Sequence, residues 1–418
     1  MHKFAHMADI HLGAHREQVL QRLEMVAFSE AMDMCIEEKV DFILICGDLF
    51  HIGIPDLGVV KEAVRKMKEV QDSGIPIYAI YGSHDYTPTG TTVIDILDTV
   101  GIIKKVVRGK ITEGKLRLDF FTDPKTGAKL VGISARKIGL ESRYYEILDV
   151  ENLEKEGGFK VFAFHSGLTE FKPDYLSQME TIPISYLPKG FDYYAGGHVH
   201  NRSENSLLGY GRVVFPGPLF TGYARDIEQT AKGEKRGFYI VSFQDKVEKV
   251  DFIEIKPFDS VYFEYDASLK NSLQAQKELT EKLAGLEVKD KVFVLKVRGE
   301  LSGGKTSDIN FSQIKRTLIE RGALYVHLNR FGLTSKEFAA VKVMGEDIGS
   351  IESRLFKENV GAVRLTHEAL KDERGAIMAT ELLQNLRQEP KANESKKDYG
   401  ERMVKQTIET LQLREVFK

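Results

Sequence analysis

The feature that most constrains the fold is an apolar segment that ends in Gly47 and Asp48. Five consecutive apolar residues, Phe-Ile-Leu-Ile-Cys, occupy positions 42–46 after Asp41. A short uninterrupted apolar run is typical of a strand buried on both faces, as in a parallel sheet covered by helices. Ligand sites in open α/β sheets lie just outside the carboxyl ends of strands, so Asp48 stands where metal or phosphate chemistry is expected. Aspartate at such a place also forms turns and caps helices.

Two further segments of this kind flank the first one, with helical spacing in between. Residues 4–8 and 75–80 are predicted strands, and polar residues follow each of them. Apolar residues recur every three or four positions over 17–38 and again over 55–74, which predicts two helices. Helices of this length between strands favour right-handed parallel crossovers, so residues 1–80 predict a β-α-β-α-β unit.

The rest of residues 1–256 is rich in strand signals, and the pattern changes near Pro257. Strands are predicted over 106–108, 116–121, 130–134, 159–164, 191–195, 206–215 and 238–255. Residues 257–335 predict a small α+β unit in which strands and helices alternate. At 418 residues the chain exceeds one ordinary domain of about 100 to 200 residues, which agrees with two or three domains.

Residues 336–418 are predicted to form a linker and two amphipathic helices. The apolar positions with helical spacing are Ile377, Met378, Leu382, Leu383 and Leu386 in one helix and Val404, Ile408 and Leu411 in the other. The polar residues 390–397 between them indicate a solvated linker. Packing on the body of the protein or docking on a partner helix would cover the apolar faces, and the linker favours docking.

Composition limits the class of protein. Hydrophobic residues make up 42% of the chain, and no apolar run approaches the roughly 18 residues of a membrane span. The start of the chain lacks the pattern of a signal peptide, so an intracellular protein without membrane contact is expected. Because the net charge is −3, a positive potential for nucleic acid must be local or come from bound metal ions. The one small basic loop contains Lys232, Lys235 and Arg236.

Five of the eleven histidines fall at or just beyond the ends of predicted strands: His11, His84, His165, His198 and His200. The pairs Asp9-x-His11 and His198-x-His200 each place two ligand-type side chains two residues apart. Together with Asp48, His84 and His165 they form a mixed nitrogen and oxygen set, which suits Mn, Fe or Zn. The candidate ligands are too many for one ion. Two ions about 3.5 to 4 Å apart that share one carboxylate would use all of these ligands. This arrangement suits in-line attack at phosphorus.

The motifs around these residues resemble, in order and spacing, those of the calcineurin-like metallophosphoesterases. They are Asp9-Ile10-His11-Leu12-Gly13, Gly47-Asp48-Leu49-Phe50-His51, Gly82-Ser83-His84-Asp85, His165-Ser166-Gly167 and Gly197-His198-Val199-His200. The first two are similar to the SbcD-type subfamily (the meiotic recombination eleven family, in its archaeal-like form), the nuclease subunit of the double-strand-break repair complex. The resemblance covers essentially the whole chain.

This resemblance implies an α/β fold of central β-sheets flanked by helices, with a small α+β capping domain and a helical C-terminal tail. It divides the chain into a nuclease domain over 1–256, a capping and DNA-binding domain over 257–335, and an ATPase-docking segment over 336–418.

The resemblance also implies a role for each site residue. One metal ion would be held by Asp9, His11, Asp48 and His200, and the other by Asp48, His165 and His198, so that Asp48 is the bridge. His84 would stabilise or protonate the leaving oxygen, and Asp85 would orient His84. His51 would contact the scissile phosphate.

Ser83 departs from the family pattern, which usually has asparagine before the histidine as a ligand of the second ion. A serine hydroxyl is one atom shorter and a weaker neutral ligand. We therefore expect Ser83 to bind directly after a backbone shift, to bind through water, or to leave the second ion loosely held. The expected cofactors are two Mn²⁺ ions per chain, with the second site weakened.

The function implied by the resemblance is a Mn-dependent DNA nuclease, with 3′ to 5′ exonuclease activity on duplexes and endonuclease activity on single strands. Its expected partners are DNA, a second copy of the chain, and an SbcC-type coiled-coil ATPase held by the C-terminal helices. Helices over 57–70 and 91–97 would form the homodimer interface unless they only cover the sheet. The expected location is the cytoplasm, with the nucleoid if the source is prokaryotic.

Two alternatives remain open at this point. A phosphatase or cyclic-nucleotide phosphodiesterase would use the same metals on a small substrate, but it needs neither a capping domain nor a docking tail. A weakly catalytic scaffold that tethers DNA ends would follow if Ser83 impairs the second metal site. Activity with excess Mn²⁺ separates the scaffold from the nuclease.

Overall fold

The computed structural model describes residues 1–87, 90–135, 141–172, 180–336, 352, 355–357, 372–391, 394 and 396–412. These residues form two compact units. The first consists of Met1–Tyr262, Val288–Val294 and Arg321–His327, and the second of Phe263–Glu287, Leu295–Glu320 and Leu328–Lys418. Most of the predicted linker that begins at residue 336 lies outside the described residues.

Strands outnumber α-helices along the described part of the chain. The strands, in chain order, are β1 (His2–Met7), β2 (Phe42–Cys46), β3 (Ile77–Ile80), β4 (Lys104–Lys105), β5 (Gly109–Thr112), β6 (Lys115–Leu118), β7 (Phe121–Thr122), β8 (Lys129–Ile133), β9 (Lys160–His165), β10 (Gly167–Leu168), β11 (Thr181–Ile182), β12 (Tyr193–Gly197), β13 (Ser203–Ser206), β14 (Arg212–Phe215), β15 (Gly237–Phe243), β16 (Val247–Glu254), β17 (Asp259–Asp266), β18 (Lys291–Leu301), β19 (Tyr325–Asn329) and β20 (Leu333–Ser335). The α-helices are α1 (Gln18–Glu37), α2 (Leu57–Asp72), α3 (Val93–Thr99), α4 (Ser142–Glu146), α5 (Val150–Glu154), α6 (Ala224–Ala231), α7 (Ser272–Ala284), α8 (Phe311–Glu320), α9 (Asp372–Leu386) and α10 (Lys396–Thr410).

Two six-stranded mixed sheets form the first unit. One has the order β16-β15-β1-β2-β3-β4, in which β1 to β4 are parallel and β15 is antiparallel to β1. The other has the order β13-β14-β12-β9-β8-β7, in which β8, β9, β12 and β14 are parallel. The predicted class, an α/β fold with central sheets flanked by helices, is confirmed.

Strand β2 is buried on both faces, as its apolar run predicts. Phe42, Leu44 and Cys46 belong to the core between the two sheets, together with side chains of β9 and β12. Ile43 and Ile45 point the other way, into a core shared with α1 and α2. Because successive strand residues face opposite sides, one strand supplies both layers.

Local signals explain where α2 and α3 begin. The Asp56 carboxylate accepts hydrogen bonds from the backbone of Gly58 and Val59, which caps α2. Thr92 and Asp95 form a reciprocal capping box at α3. Both helices therefore start at side chains that satisfy backbone N–H groups left free in the first turn.

The prediction of a strand over 106–108 is wrong. Val106 is buried and its backbone N–H bonds to the carbonyl of Ala79, but β4 ends at Lys105 and the next strand begins at Gly109. The apolar character of Val106 reflects burial in the core between the sheets and not strand pairing. Burial alone therefore misled the assignment.

The second unit contains α7, α8 and a parallel pairing of β18 with β20 across 299–301 and 333–335. Asn271 and Gln274 form a capping box at α7. In the tail, Asn385 of α9 donates a hydrogen bond to the Thr410 hydroxyl of α10 over 2.9 Å. No helix within the described residues is long and apolar enough to span a membrane.

Candidate metal centre

The candidate ligands lie where strands of both sheets end. Asp9 and His11 follow β1, Asp48 follows β2, His165 ends β9, and His198 and His200 follow β12. Asp9, His11 and Asp48 have φ angles of 52°, 52° and 53°. Non-glycine residues in this left-handed region are uncommon and cluster at functional sites, because the surrounding structure must hold them there.

The close approach of these strand ends depends on glycine. Gly47 has a φ of 86°, and a Cβ there would collide with Nδ1 of His165. A Cβ on Gly82 would collide with the carboxylate of Asp48. Hydrogen at these two positions therefore lets the carboxylate and the imidazole enter one site.

The structure brings possible ligand atoms into three overlapping groups: Asp9 with His11 and His200, Asp9 with Asp48 and His165, and His11 with His51 and His84. Nε2 of His165 lies 3.2 Å from Oδ2 of Asp48 and 3.9 Å from Oδ1 of Asp9. Nε2 of His11 lies 3.6 Å from Oδ2 of Asp48 and 3.1 Å from Nε2 of His200. Two buried carboxylates and three converging imidazoles form a donor set that suits divalent cations.

The tautomers of two histidines fit metal binding. Nδ1 of His165 lies 2.7 Å from the carbonyl oxygen of Cys46, and Nδ1 of His200 lies 2.8 Å from Oδ2 of Asp226. Since both partners accept hydrogen bonds, each Nδ1 carries a proton, and each Nε2 faces the site, where a metal ion could bind it. Nε2 of His165 is buried and has no hydrogen-bond partner in the described part of the chain. An orphaned nitrogen beside carboxylates is what a bound cation would satisfy.

The buried carboxylates of the cluster favour a positive charge beside them. Burial lowers the pKa of His165, but the neighbouring Asp48 carboxylate raises it, with a net result of about 10. Burial raises the pKa of Asp9 above its usual value. Burial and the charge of His165 lower the pKa of His198 to about 4, which keeps this imidazole neutral and able to act as a ligand. The carboxylates therefore hold a proton or a cation between them.

Asp226 is a site residue that the sequence reasoning missed. Besides its bond to His200, its carboxylate accepts hydrogen bonds from the backbone N–H groups of Gly222 and Tyr223, each over 2.9 Å. Arg236 donates to the carbonyl oxygen of His200 over 2.8 Å and to that of Asp226 over 3.2 Å. The signal for Asp226 was its place in the first turn of α6, where an acidic side chain caps the helix. Arg236 is buried behind the ligands and is not a surface DNA contact.

His84 lies beside the ligand cluster. Its Nδ1 donates to the carbonyl oxygen of His51 over 2.6 Å, which directs Nε2 outward. That Nε2 lies 2.8 Å from the hydroxyl of Tyr223, a second residue that sequence reasoning missed. The His51 imidazole stacks on that of His84, and its Nδ1 lies 3.4 Å from Nδ1 of His11. His51 and His84 therefore line the site together.

The expectation that Asp85 orients the imidazole of His84 is wrong. The Asp85 carboxylate accepts hydrogen bonds from the backbone N–H groups of Asp48 and Gly82, over 2.9 and 2.8 Å. The carbonyl of His51 orients the imidazole instead. Buried backbone N–H groups of the two ligand loops need acceptors, and Asp85 supplies them.

Ser83 lines a cavity of about 360 Å³ at this site. Its other walls include Asp48, His84, His198, His200, Asn201, Tyr223, Arg225 and Gln229. Ser83 thus faces the same space as Asp48, His198 and His200, and its part in metal binding stays a prediction.

Comparison with known proteins shows which proteins this chain resembles. A family model described as calcineurin-like phosphoesterase matches residues 2–202, the segment that contains all of the candidate ligands. Three archaeal relatives are each named DNA double-strand break repair protein Mre11.

The relatives cover most of the chain. That of Sulfurisphaera tokodaii is 30% identical over 307 residues, which is 71% of this chain and 73% of the relative. That of Methanococcus maripaludis is 26% identical over 303 residues, 70% of this chain and 76% of the relative. That of Archaeoglobus fulgidus is 27% identical over 300 residues, and the match spans 69% of this chain and 64% of the relative.

Proposed function

Since this chain belongs to the Mre11 family of calcineurin-like phosphoesterases, we propose that it is a metal-dependent nuclease that processes DNA ends in double-strand break repair. The observation that carries the proposal is the buried cluster of Asp9, Asp48 and imidazoles, with His84 in contact with His11 at its edge. A set of metal ligands next to a separate proton-transferring group suits phosphodiester cleavage.

We propose the two metal sites that the family resemblance implies, and the proximity of Asp9 to His11 and His200, and of Asp48 to His165, supports them. One ion would be held by Asp9, His11, Asp48 and His200, and the other by Asp48, His165 and His198. When bound, two divalent ions supply the positive charge that binds a scissile phosphate and lowers the pKa of a water nucleophile. We propose Mn²⁺ as the metal, because nitrogen and oxygen ligands without thiolate suit it.

The protein side chains hold and move the proton of the leaving group. The bond from Nδ1 of His84 to the His51 carbonyl keeps the ring in one orientation, with Nε2 towards the cavity. A proton on Nε2 would then pass to the oxygen that leaves phosphorus. The His51 imidazole, in contact with His11 and His84, lies where it could donate to a phosphate oxygen.

We further propose 3′ to 5′ exonuclease activity on duplex ends and endonuclease activity on single strands. In a prokaryotic cell such a protein would act in the cytoplasm, at the nucleoid. The C-terminal helices would bind a coiled-coil ATPase of the SbcC type. In support, Ile377 and Leu386 of α9 and Val404 of α10 are each more than half exposed, as expected for unpaired docking faces.

A homodimer through α2 and α3 is part of the proposal. Leu57 at the start of α2 is 82% exposed, and Ile96 and Val100 on or beside α3 are 55% and 64% exposed. Helices that only covered the sheet would turn such side chains inward. Exposed apolar residues on both helices support an interface with a second copy.

The test is degradation of end-labelled linear duplex DNA with Mn²⁺ or Mg²⁺ by the parent, Asp48→Ala and His84→Ser. We expect Mn-dependent loss of label that both substitutions abolish. Calorimetric titration should give metal binding by His84→Ser close to that of the parent, because the proposed ligand sets do not include His84. Intact DNA at saturating Mn²⁺, with small phosphodiesters hydrolysed instead, would support a small-substrate phosphodiesterase, and loss of both activities would support a tethering scaffold.

A further inference from the structure

Four ligands of the proposed metal sites are almost fully buried, whereas His198 and His200 are partly exposed and line the cavity. Asp9, His11, Asp48 and His165 are at most 2% exposed, although a phosphodiester must reach the ions that they would hold. Tyr223 is 45% exposed and covers this cluster. Its ring centroid lies 5.2 Å from that of His200, 5.6 Å from His11, 5.7 Å from His51 and 6.2 Å from His84. One aromatic side chain therefore contacts four imidazoles on one side and solvent on the other.

The hydroxyl of Tyr223 occupies the reactive nitrogen of His84. Nδ1 of His84 is already bonded to the His51 carbonyl, so Nε2 is the nitrogen left for a substrate. The Tyr223 hydroxyl lies 2.8 Å from Nε2, within hydrogen-bond distance. A leaving oxygen needs the same nitrogen at the same distance. The hydroxyl and the leaving oxygen therefore exclude each other.

The backbone of Tyr223 is fixed, so only its side chain can move. The Asp226 carboxylate binds the backbone N–H groups of Gly222 and Tyr223, each over 2.9 Å. A Cβ on Gly222 would lie 2.7 Å from the His11 ring and 3.0 Å from that of His200, so the loop sits against both ligands. Rotation about the side-chain bonds of Tyr223 frees Nε2 of His84 without disturbing either ligand. Such rotamer changes of partly exposed side chains take picoseconds to nanoseconds.

We propose that Tyr223 is a substrate-displaced cap on His84. In the free enzyme its hydroxyl satisfies Nε2 and its ring covers the ligand cluster. A bound phosphodiester takes over Nε2 and turns the side chain outward. The proposal rests on the proposed function in one respect, the contact of His84 with the leaving oxygen. A cap that competes with substrate reduces the fraction of enzyme that can bind DNA. The apparent Kd for DNA rises in inverse proportion to that open fraction.

The first test compares Tyr223→Phe with the parent in steady-state cleavage of duplex DNA at saturating Mn²⁺. Phenylalanine keeps the ring and removes the hydroxyl, so the KM for DNA should fall about fivefold, the factor expected for one neutral hydrogen bond. The kcat should stay within about twofold, because the capped state is absent once substrate is bound. Tyr210→Phe, which removes a hydroxyl from a half-buried ring away from the ligands, is the matched control and should change neither constant.

The second test does not depend on nuclease activity. Diethyl pyrocarbonate acylates unprotonated imidazole nitrogens, and the tryptic peptide 69–104 contains His84 as its one histidine. In the Mn-loaded protein, Tyr223→Phe should accelerate acylation of this peptide severalfold, as followed by mass spectrometry. Acylation at His327 and the rate in Tyr210→Phe should not change.

The outcomes separate the cap from other roles. A fall in kcat at constant KM would overturn the cap, since Tyr223 would then act on the transition state. Unchanged acylation of His84 would also overturn it, because the hydroxyl would not be shielding Nε2. If the parent leaves DNA intact, the proposed nuclease function fails, whereas the acylation rates still decide whether Tyr223 caps His84.

Discussion

A single residue behind the ligands, Asp226, fixes the positions of several groups of the site. Asp226 joins three groups through one carboxylate: Nδ1 of His200 and the backbone N–H groups of Gly222 and Tyr223. Burial raises and the His200 hydrogen bond lowers the pKa of Asp226, with a net decrease, so this carboxylate is ionised. It therefore fixes the His200 tautomer and the cap residue together.

The change Asp226→Asn should weaken Mn²⁺ binding about 10- to 100-fold, because an amide orients His200 less strongly than a carboxylate does. Isothermal titration calorimetry of the metal-free protein measures this. Glu228→Gln on the same helix is the control, since Glu228 pairs with Lys232 over 2.6 Å and should leave the affinity unchanged. Equal affinities for parent and Asp226→Asn would show that Asp226 only caps the helix.

The change Ser83→Asn should strengthen binding of the second ion. Asparagine extends one atom further than serine and offers an amide oxygen to the cavity that Ser83 lines. A calorimetric titration with Mn²⁺ should show the weaker of two binding steps move to lower concentration, while the tighter step stays. Superimposable titrations of the two proteins would contradict this prediction.

Glu24 should make stability depend on pH. It is buried in α1 and accepts hydrogen bonds from the backbone that follows His11, including Gly13. Burial outweighs these bonds and raises its pKa from 4.5 to about 7. Because the folded state binds the Glu24 proton more tightly than the unfolded state does, protonation stabilises the fold. This contribution is complete below pH 4.5 and is lost as the pH rises through about 7.

The free energy of unfolding of the parent should therefore fall between pH 5 and 8 more than that of Glu24→Gln, by on the order of 3 kcal/mol. Urea denaturation across this range measures the difference. Glu30→Gln, at an exposed position of the same helix, should follow the parent. Parallel curves for parent and Glu24→Gln would mean that the carboxyl is not protonated in the folded protein.

At the scale of elements, β2 connects the packing of the protein to its chemistry. Its residues alternate between the core shared with the helices and the core between the sheets, and its carboxyl end delivers Asp48. Both layers must be filled for the two sheets to bring their strand ends together. Truncation of a buried side chain in β2 should therefore lower the stability of the fold, even though it removes no metal ligand.

Leu44→Ala should destabilise the fold by about 2 to 5 kcal/mol, because Leu44 is fully buried between the sheets and its loss leaves a cavity. Chemical denaturation gives the value. Leu208→Ala removes the same atoms from a fully exposed turn and should cost less than about 0.5 kcal/mol. A similar small effect at Leu44 would mean that the sheets repack around the gap.

At the scale of elements, side-chain hydrogen bonds hold the segment between the two tail helices. The segment between α9 and α10 is exposed at 388–391, as a solvated linker should be, but it is not loose. Arg402 donates to both carboxylate oxygens of Glu394 over 2.7 Å each, and to the side chain of Gln388 over 2.8 Å. Residues 392–393 and 395 lie outside the described residues. The bidentate pair ties α10 to the linker before any partner binds.

At the scale of the whole molecule, the proposed homodimer through α2 and α3 can be tested directly. The parent should sediment as a dimer, and the double change Leu57→Glu with Ile96→Glu should give monomers, because it places charge in the proposed apolar interface. Analytical ultracentrifugation decides between these states. Leu208→Glu should remain dimeric, whereas a monomeric parent would remove the proposed interface.

Net charge is also a property of the whole molecule. At −3 the chain has no general attraction for DNA. The buried carboxylates of the site add local negative charge, which two divalent ions would reverse. DNA affinity should thus depend on metal loading, with the ions as the main positive charge at the cleavage point.

Much of this protein could be derived from the order of its residues. The apolar run before Asp48 predicts a strand with two buried faces, and the aspartates and histidines at strand ends predict a metal centre. Both inferences hold because burial and ligand chemistry belong to residue types and to short spacings. The strand assigned to 106–108 failed because burial of Val106 and strand pairing have the same apolar signature.

Tertiary structure alone decided how the site is supported. Tyr223 and His84 are 139 positions apart, and Asp48 and Asp85 are 37 apart, yet each pair is joined by a hydrogen bond. No local pattern predicts such partners, because they depend on which side chains and backbone groups meet after both sheets have packed. The sequence thus determined which residues could bind metal, whereas packing determined that Asp85 supports backbone, that His51 orients His84, and that Tyr223 covers it.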